Sequence, residues 1–304
     1  PMRFLAEANL TQIIRQQERN VEPEEARAQL QDRIKQVFSG KDLALVPFPS
    51  SPSEVPDDIG DGRPKLVVVS YDAETVAGDS VTLPELVKRL HHESGSQGSF
   101  RRFRNNVVLL VADDKGREDM RGRVTRRLAL DALRSPDRLA QLAEHQQDTV
   151  KEMYQRSEQE IAIAIQQAYR HLFYPSKTDA FDGSDLAHMA FDLHSPSEKP
   201  GDGQRHVLRA LAENYKLLRD EDAPMNPTYI KQHTPLSGGK VSTGALRNEF
   251  RSDPALMIMI GNENFVKMAR KGIEEGAFVY QDGELLYGPG DPWAEIRIDE
   301  NAAL

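Results

Sequence analysis

The chain has no cysteine among its 304 residues, so it can form neither a disulfide nor a thiolate metal site. Any metal would have to be held by histidines and carboxylates. Long apolar runs are also lacking. The longest, Val107 to Ala112 and Met257 to Ile260, fall far short of the roughly 20 residues that cross a bilayer. No basic-then-apolar leader opens the sequence, and a cytoplasmic location without membrane contact is expected. Excess positive charge is missing too. With 39 Lys and Arg against 48 Asp and Glu the formal charge is -9, which excludes a protein that coats nucleic acid by bulk attraction and confines any such contact to a local patch. Phosphate-binding loops are absent in turn. The nearest string, Ser237-Gly238-Gly239-Lys240-Val241, lacks the leading glycine and has valine where a metal-binding hydroxyl belongs, so it reads as a turn. Gly60-Asp61-Gly62 lacks the third glycine and helix of a dinucleotide fingerprint, and no nucleophile elbow, zinc-protease helix or kinase loop occurs. No internal repeat and no low-complexity segment is present.

What remains is a charged, ordinary globular composition, 38% hydrophobic and 29% charged, long enough for two modest cores or one large one. The opening Pro1-Met2-Arg3 runs straight into helical sequence, so the chain is expected to be part of a longer one. Asn9 is expected to cap a short helix bearing Leu10, Ile13 and Ile14. A second helix has Pro23 in its first turn, a stripe from Ala26 through Leu30, Ile34, Val37 and Phe38, and Gly40 beyond its end. Strands are expected at Leu43 to Phe48, Lys65 to Tyr71 and Asn106 to Ala112. The β-branched continuity of the last two suits strands covered on both faces of a parallel sheet. A helix from Thr82 to His92 separates them. Asp113 or Asp114 caps a helix ending before Pro136, and a long helix from Asp137 to Phe173, bent near His145 to Asp148, would complete a long helical hairpin. Leu186 to Leu193 could add a strand, and Gln204 to Leu218 reads as an amphipathic helix.

Arg219 to Pro227, rich in Asp, Glu and Pro, is the best linker. Beyond it come a helix capped by Thr243, another opened by Asn262 or Asn264, and a hairpin turning at Asp282-Gly283. The expected fold is mixed α/β: residues 1–222 form an α/β layer with a long helical hairpin, and residues 223–304 a winged-helix-like module.

Two groups of side chains stand out. From Arg101 to Arg138 eleven basic residues face six acidic ones, whereas Glu54 to Glu85 has eight acidic and two basic. Arg101, Arg102, Arg104, Asn105 and Asn106 sit just before a buried strand, from which they could reach a phosphate or a partner subunit. The three arginines should be replaceable there with little loss of stability. The competing reading is a solvated loop that pairs with the acidic, Pro-rich loop nearby. In the C-terminal part, Lys267, Arg270 and Lys271 recur at helical spacing opposite Phe265, Met268 and Ile273, with Arg247 and Arg251 on the preceding helix. These are candidates for weak duplex DNA binding through phosphates. The histidines invite a metal check. His91 and His92 are adjacent and point apart, while His188, Asp192 and His194 share one face of an expected strand. Hydrogen bonding or solvation explains such a face more economically than a metal does, and no metal site or catalytic residue is assigned.

Several strings together resemble a known family. Phe100-Arg-Arg-Phe-Arg-Asn-Asn-Val-Val-Leu-Leu-Val-Ala-Asp113, Val46-Pro-Phe-Pro49, Val55-Pro-Asp-Asp58, Phe4-Leu-Ala-Glu-Ala-Asn-Leu10 and Leu286-Tyr-Gly-Pro-Gly-Asp291 are similar to the C-terminal region of very large prokaryotic ATP-binding proteins classed under a domain of unknown function. Full-length members carry an upstream P-loop, AAA-like ATPase segment and are encoded beside DNA methyltransferase and helicase genes in anti-phage clusters. The resemblance implies that residues 1–222 are the back half of, or a companion to, an ATPase core. It also implies ATP and magnesium as cofactors of the full-length protein, with the upstream segment, the methyltransferase and the helicase as partners. This chain lacks the Walker segment, so by itself it is expected to be a non-catalytic fragment that binds no cofactor and turns over no ATP, acting in DNA-associated defence. The alternative is a protein-interaction module that docks the ATPase to partner defence proteins.

Overall fold

The computed structural model describes residues 2–57, 60, 62–77, 81–95, 98–191, 201–291 and 297–304. The fold is mixed α/β. Strands β1 (Ala44–Pro47), β2 (Lys65–Val68), β3 (Thr75–Val76), β4 (Glu93–Ser94), β5 (Ser99–Phe100), β6 (Val107–Asp113), β7 (His171–Pro175) and β8 (Leu186–Ala190) alternate with helices α1 (Met2–Glu18), α2 (Pro23–Phe38), α3 (Glu85–His92), α4 (Asp114–Leu133), α5 (Pro136–Leu139) and α6 (Glu144–Ala168). The central sheet has the order β1-β2-β6-β7-β8, with β3 on the far end of β6. β1, β2, β3 and β6 are parallel, and β7 runs against β6 and β8.

Both sheet faces are covered, and this explains the unbroken apolar runs. Leu66, Val68, Val108, Leu110 and Ala112 face α2, α4 and α6, while Val67, Val69, Val107, Leu109 and Val111 face α3 and the loop carrying Val55. A strand buried on one face alone would alternate with polar residues; these cannot.

The expected helical hairpin is formed by α4 and α6. Gly116 lies so close to Ala168 that an added Cβ would stand 2.7 Å from its Cα. Farther along, Arg123 donates to Glu160 (3.1 Å) and Arg127 to Tyr154 (3.0 Å). Contact numbers that rise on one helix and fall on the other mark an antiparallel pair. Asp113 caps α4 by accepting the Lys115 N–H at 2.8 Å.

Several boundaries differ from expectation. α1 runs through Asn9 without a cap there. The long helix is interrupted at residues 140–143 and stops at Ala168, because Leu172 and Phe173 pair with β6 as strand β7. Bulky side chains buried against a sheet override a helical pattern that would otherwise continue. The amphipathic helix, α7 (Gly203–Glu213), likewise ends before β9 (Leu217–Leu218).

The C-terminal part contains α8 (Pro227–His233), α9 (Thr243–Ser252), β10 (Ile258–Met259), α10 (Glu263–Glu274), β11 (Tyr280–Asp282) and β12 (Leu285–Tyr287). Ser242, one residue earlier than expected, caps α9 through the Ala245 N–H. β11 and β12 form the anticipated hairpin, with Asp282 paired to Leu285. The turn is therefore Gly283-Glu284, one residue beyond the Asp-Gly reading. Gly283 has φ +59 and Glu284 is not left-handed, the pattern of a II′ turn, in which glycine belongs first. Ile230, Leu246, Phe250, Phe265, Met268, Ile273 and Tyr280 form a core of their own. The 222/223 division is not a clean break, however: β10 pairs in parallel with β9, and Ile258 is buried in the core of the sheet body. No helix among the described residues is long and apolar enough to cross a membrane.

Candidate functional site: an arginine-lined cleft at the seam

Of the residues ahead of β6, Arg101, Asn105 and Asn106 turn inward, Arg104 is half-buried and Arg102 is exposed. Arg101 is buried. Its guanidinium donates to the carbonyls of Leu90 (3.2 Å), Val55 (3.1 Å) and Glu93 (2.8 Å), and lies 3.6 Å from the Asp57 carboxylate. Burial lowers its pKa and Asp57 opposes that shift. Asp57 also accepts the backbone N–H groups of Arg102 (2.7 Å) and Phe103 (3.0 Å). Thus the acidic, Pro-rich loop and the arginine run pair with each other, and Arg101 departs from the expectation of a side chain that can be removed without cost. Arg102 is exposed and stacks on Phe103, 4.9 Å from the ring centre. Arg104 pairs with Asp185 at 3.0 Å.

Asn105 and Asn106 act as joints. The buried Asn105 amide donates to Phe250 O (2.7 Å), Leu256 O (3.1 Å) and Met257 O (3.4 Å), carbonyls of the C-terminal part. From the same side Lys216 reaches Pro254 O (2.7 Å) and Leu256 O (2.5 Å). Burial pulls this lysine down to a pKa of about 7, against the pull of Asp253. Asn106 holds the carbonyls of Gly62 (3.3 Å) and Arg63 (3.2 Å).

At this joint, candidates read separately from the sequence meet. Arg63, Asn106, Arg247 and Arg251 line one cleft of about 200 Å³, together with Gly62, Phe250, Met259, Gly261 and Asn262. Among the described residues its lining contains three arginines and no carboxylate. Arg251 comes from α9 and crosses the seam, with its guanidinium 5.9 Å from the Phe103 ring centre. Gly62, at φ +69, leaves it room: a Cβ there would lie 1.7 Å from Nη2. Arg247 is ion-paired with Glu300, and Arg63 donates to Lys41 O at 3.1 Å. Arg63 carried no sequence signal, because only the fold brings it beside α9.

The α10 cations do not gather there. Lys267 donates to the Asp220 carbonyl, Lys271 lies 3.8 Å from Glu275, and Arg270 is half-buried. The helix start is likewise occupied, since Asp220 accepts the N–H groups of Glu263 (2.9 Å) and Asn264 (3.2 Å). Basic residues along α4 also find partners on other elements, as Arg121 does with Asp72 and Arg123 with Glu160. Ser237 and Gly238 close a 3-10 turn that ends at Gly239, φ +123, with Lys240 donating to Gln281 at 2.7 Å.

Among the histidines, His91 meets Arg104 O (3.2 Å) and His92 meets Ser184 O (2.6 Å). Asp192 and His194, expected to share a face with His188, lie outside the described residues. No group of three or more metal-ligating side chains able to hold an ion occurs among the described residues. No family model, curated protein or solved structure matches the chain.

Proposed function

We propose that this chain is the non-catalytic C-terminal part of a large ATP-binding protein of DNA-associated anti-phage defence, and that it contacts the phosphate backbone of duplex DNA through the seam cleft. The carrying observation is the convergence of Arg63, Arg247 and Arg251 with Asn106 on a cleft that, among the described residues, has no carboxylate in its lining. Guanidinium forks match phosphate oxygens, and a cleft of about 200 Å³ is smaller than the roughly 300 Å³ at which drug-sized sites begin. It suits one anionic group rather than a nucleotide. The resemblance of Phe100 to Asp113 and the other strings to the ATP-binding family supplies the context, in which ATP and magnesium belong to the upstream segment. Asn105 and Lys216 support the same reading, because they tie the C-terminal part to the sheet body and would let the two move as one piece.

A mobility-shift titration of the full chain with a short duplex tests this. Binding should be about micromolar or weaker and fall steeply with salt, as a few phosphate contacts dictate. Arg247→Gln with Arg251→Gln should weaken it by about tenfold or more. If the wild-type chain gives no shift at low salt, or the double variant binds as well, the DNA reading fails.

A second reading, docking of the ATPase to a methyltransferase or helicase partner, is favoured by the exposed Leu285 and Leu286 on the hairpin and by the engagement of the α10 cations within the chain.

A further inference from the structure

Strand alternation sends Tyr280 of β11 into the C-terminal core, where it is fully buried, and turns Val279 and Gln281 to the other side. The hairpin register sets Leu286 of β12 opposite Gln281, so Leu286 shares that outer face. On the far side of β11, Ala303 exchanges backbone hydrogen bonds with Gln281 (2.8 and 2.9 Å), and Leu304 does so with Val241 (3.0 and 2.9 Å). The buried Leu236 and Phe278 lie beneath. With Lys231 and Lys240 these residues enclose a hollow of about 280 Å³.

Two properties of the hollow point to what fills it. The outward positions of a half-buried strand are ordinarily polar, yet Val279 is 47% and Leu286 65% exposed. Beside them stand two exposed cations held by neutral groups. The Lys231 ammonium donates to Ala277 O (2.6 Å) and the Lys240 ammonium to Gln281 Oε1 (2.7 Å). Neither is paired with a carboxylate among the described residues, and the described lining contains none, whereas Lys271 on α10 lies 3.8 Å from Glu275. Anchored at Ala277 and Gln281, the two lysines stand at either end of the segment that carries Phe278 and Val279. In a chain of formal charge -9, this is a local apolar surface with a cationic rim.

We propose that this hollow docks a short acidic segment of a partner protein, with one large apolar side chain, Phe or Leu, seated against Phe278, Val279 and Leu286 and a carboxylate on each side of it paired with Lys231 and Lys240. This deepens the docking reading of the hairpin by naming the chemistry that the partner carries. The size agrees: a cavity of roughly 150 Å³ holds a benzene ring, so about 280 Å³ takes one side chain with backbone on either side. Apolar burial supplies the affinity and the lysines select the partner. Because Ala277 and Gln281 already fix both lysines, less side-chain freedom is lost when the carboxylates arrive. Two cations are too few for the other ligands of basic surfaces, since attachment to an anionic bilayer uses clusters of about four to eight and tight DNA binding about six to ten phosphate contacts.

Short random peptides displayed on phage are selected on the full chain, and the enriched peptides are synthesised and followed by fluorescence anisotropy and by NMR of the Val279, Leu285 and Leu286 methyl groups. They should carry Phe or Leu with Asp or Glu on both sides and should shift the Val279 and Leu286 methyls. Lys231→Glu with Lys240→Glu should weaken them about tenfold or more, and the same peptides with Lys in place of each acidic residue should regain affinity for that variant. The wild-type methyl shifts decide the matter even if the variant fails to fold. No enrichment over background, or binding that leaves Val279 and Leu286 unmoved, overturns the proposal. Peptides that move Leu285 and Leu286 but lack acidic residues, or that bind the reversed-charge variant as well, overturn it while leaving hairpin docking in place. A hollow that responds to phosphatidylserine vesicles or a short DNA duplex and to no selected peptide belongs to a lipid or nucleic-acid surface, which also overturns it.

Discussion

At the scale of single residues, the arginine that looked most available is the least so. Arg101 donates to three backbone carbonyls from two separate segments and faces Asp57. Truncating a partner inside such a buried set strands several acceptors and a carboxylate, at about 3–5 kcal/mol. Arg101→Ala should therefore lower the urea midpoint of the chain sharply, and Arg101→Lys should recover little, because an ammonium cannot reproduce the planar fork. Arg102→Ala, at an exposed position, should change stability by about 0.5 kcal/mol or less. Equal midpoints for the Arg101→Ala and Arg102→Ala variants in chemical denaturation would show that the buried set has been misjudged. Sequence order placed both arginines at the mouth of a strand. Which of them turns inward is decided by Asp57, which lies 44 positions from Arg101 and which no local pattern could pair with it.

At the scale of elements, the apolar runs of β2 and β6, the capped start of α4 and the hairpin were legible because each rests on a local rule: continuous branched residues, a carboxylate before a helix, a glycine in a tight turn. β7 was hidden because its residues carry the spacing of the helix before them, and only pairing with β6 shows them as extended. The seam was legible only in fragments. Asn105, Asn106, Arg247 and Arg251 were each singled out, but as two unrelated sites; the fold joins them through the Asn105 amide and its three carbonyl partners. Asn105→Ala should cost about 2–4 kcal/mol, because buried carbonyls lose their donor. Hydrogen exchange should then rise selectively at the α9 and β10 amides while the central sheet stays protected. Uniform exchange across the chain would mean that the asparagine is not a joint between the two parts.

For the whole molecule, the buried basic groups set a pH dependence of stability. Burial and the neighbouring His92 hold His91 down to a pKa of about 3, and His188 is held to about 4. The unfolded chain binds these protons from about pH 6.5 downward while the native chain does not. The stability contributed by these two groups is therefore full above that value and declines as pH falls toward 4 and then 3, by about 1.4 kcal/mol per pH unit for each group. Lys216 adds a second window with the same sign: between its native pKa of about 7 and the unfolded value near 10.4, the unfolded state holds the extra proton and stability rises with pH. Urea midpoints measured from about pH 3.5 to pH 9.5 should climb across both windows, and His91→Leu should flatten the acid limb. A midpoint that stays level between about pH 6.5 and 4 would contradict the burial of both histidines.

The parallel pairing of β9 with β10 also constrains the order in which the chain can mature. Leu217 leaves the ribosome about forty residues before Ile258, its register partner, and at synthesis rates of about 5–20 residues per second that is a wait of about two to eight seconds. Until then Lys216 lacks the carbonyls that hold its ammonium, and the edge beside Leu217 and Leu218 is open. Folding of the sheet body is thus left incomplete until the downstream segment arrives, and through this interval the open edge is exposed to mispairing with another nascent copy.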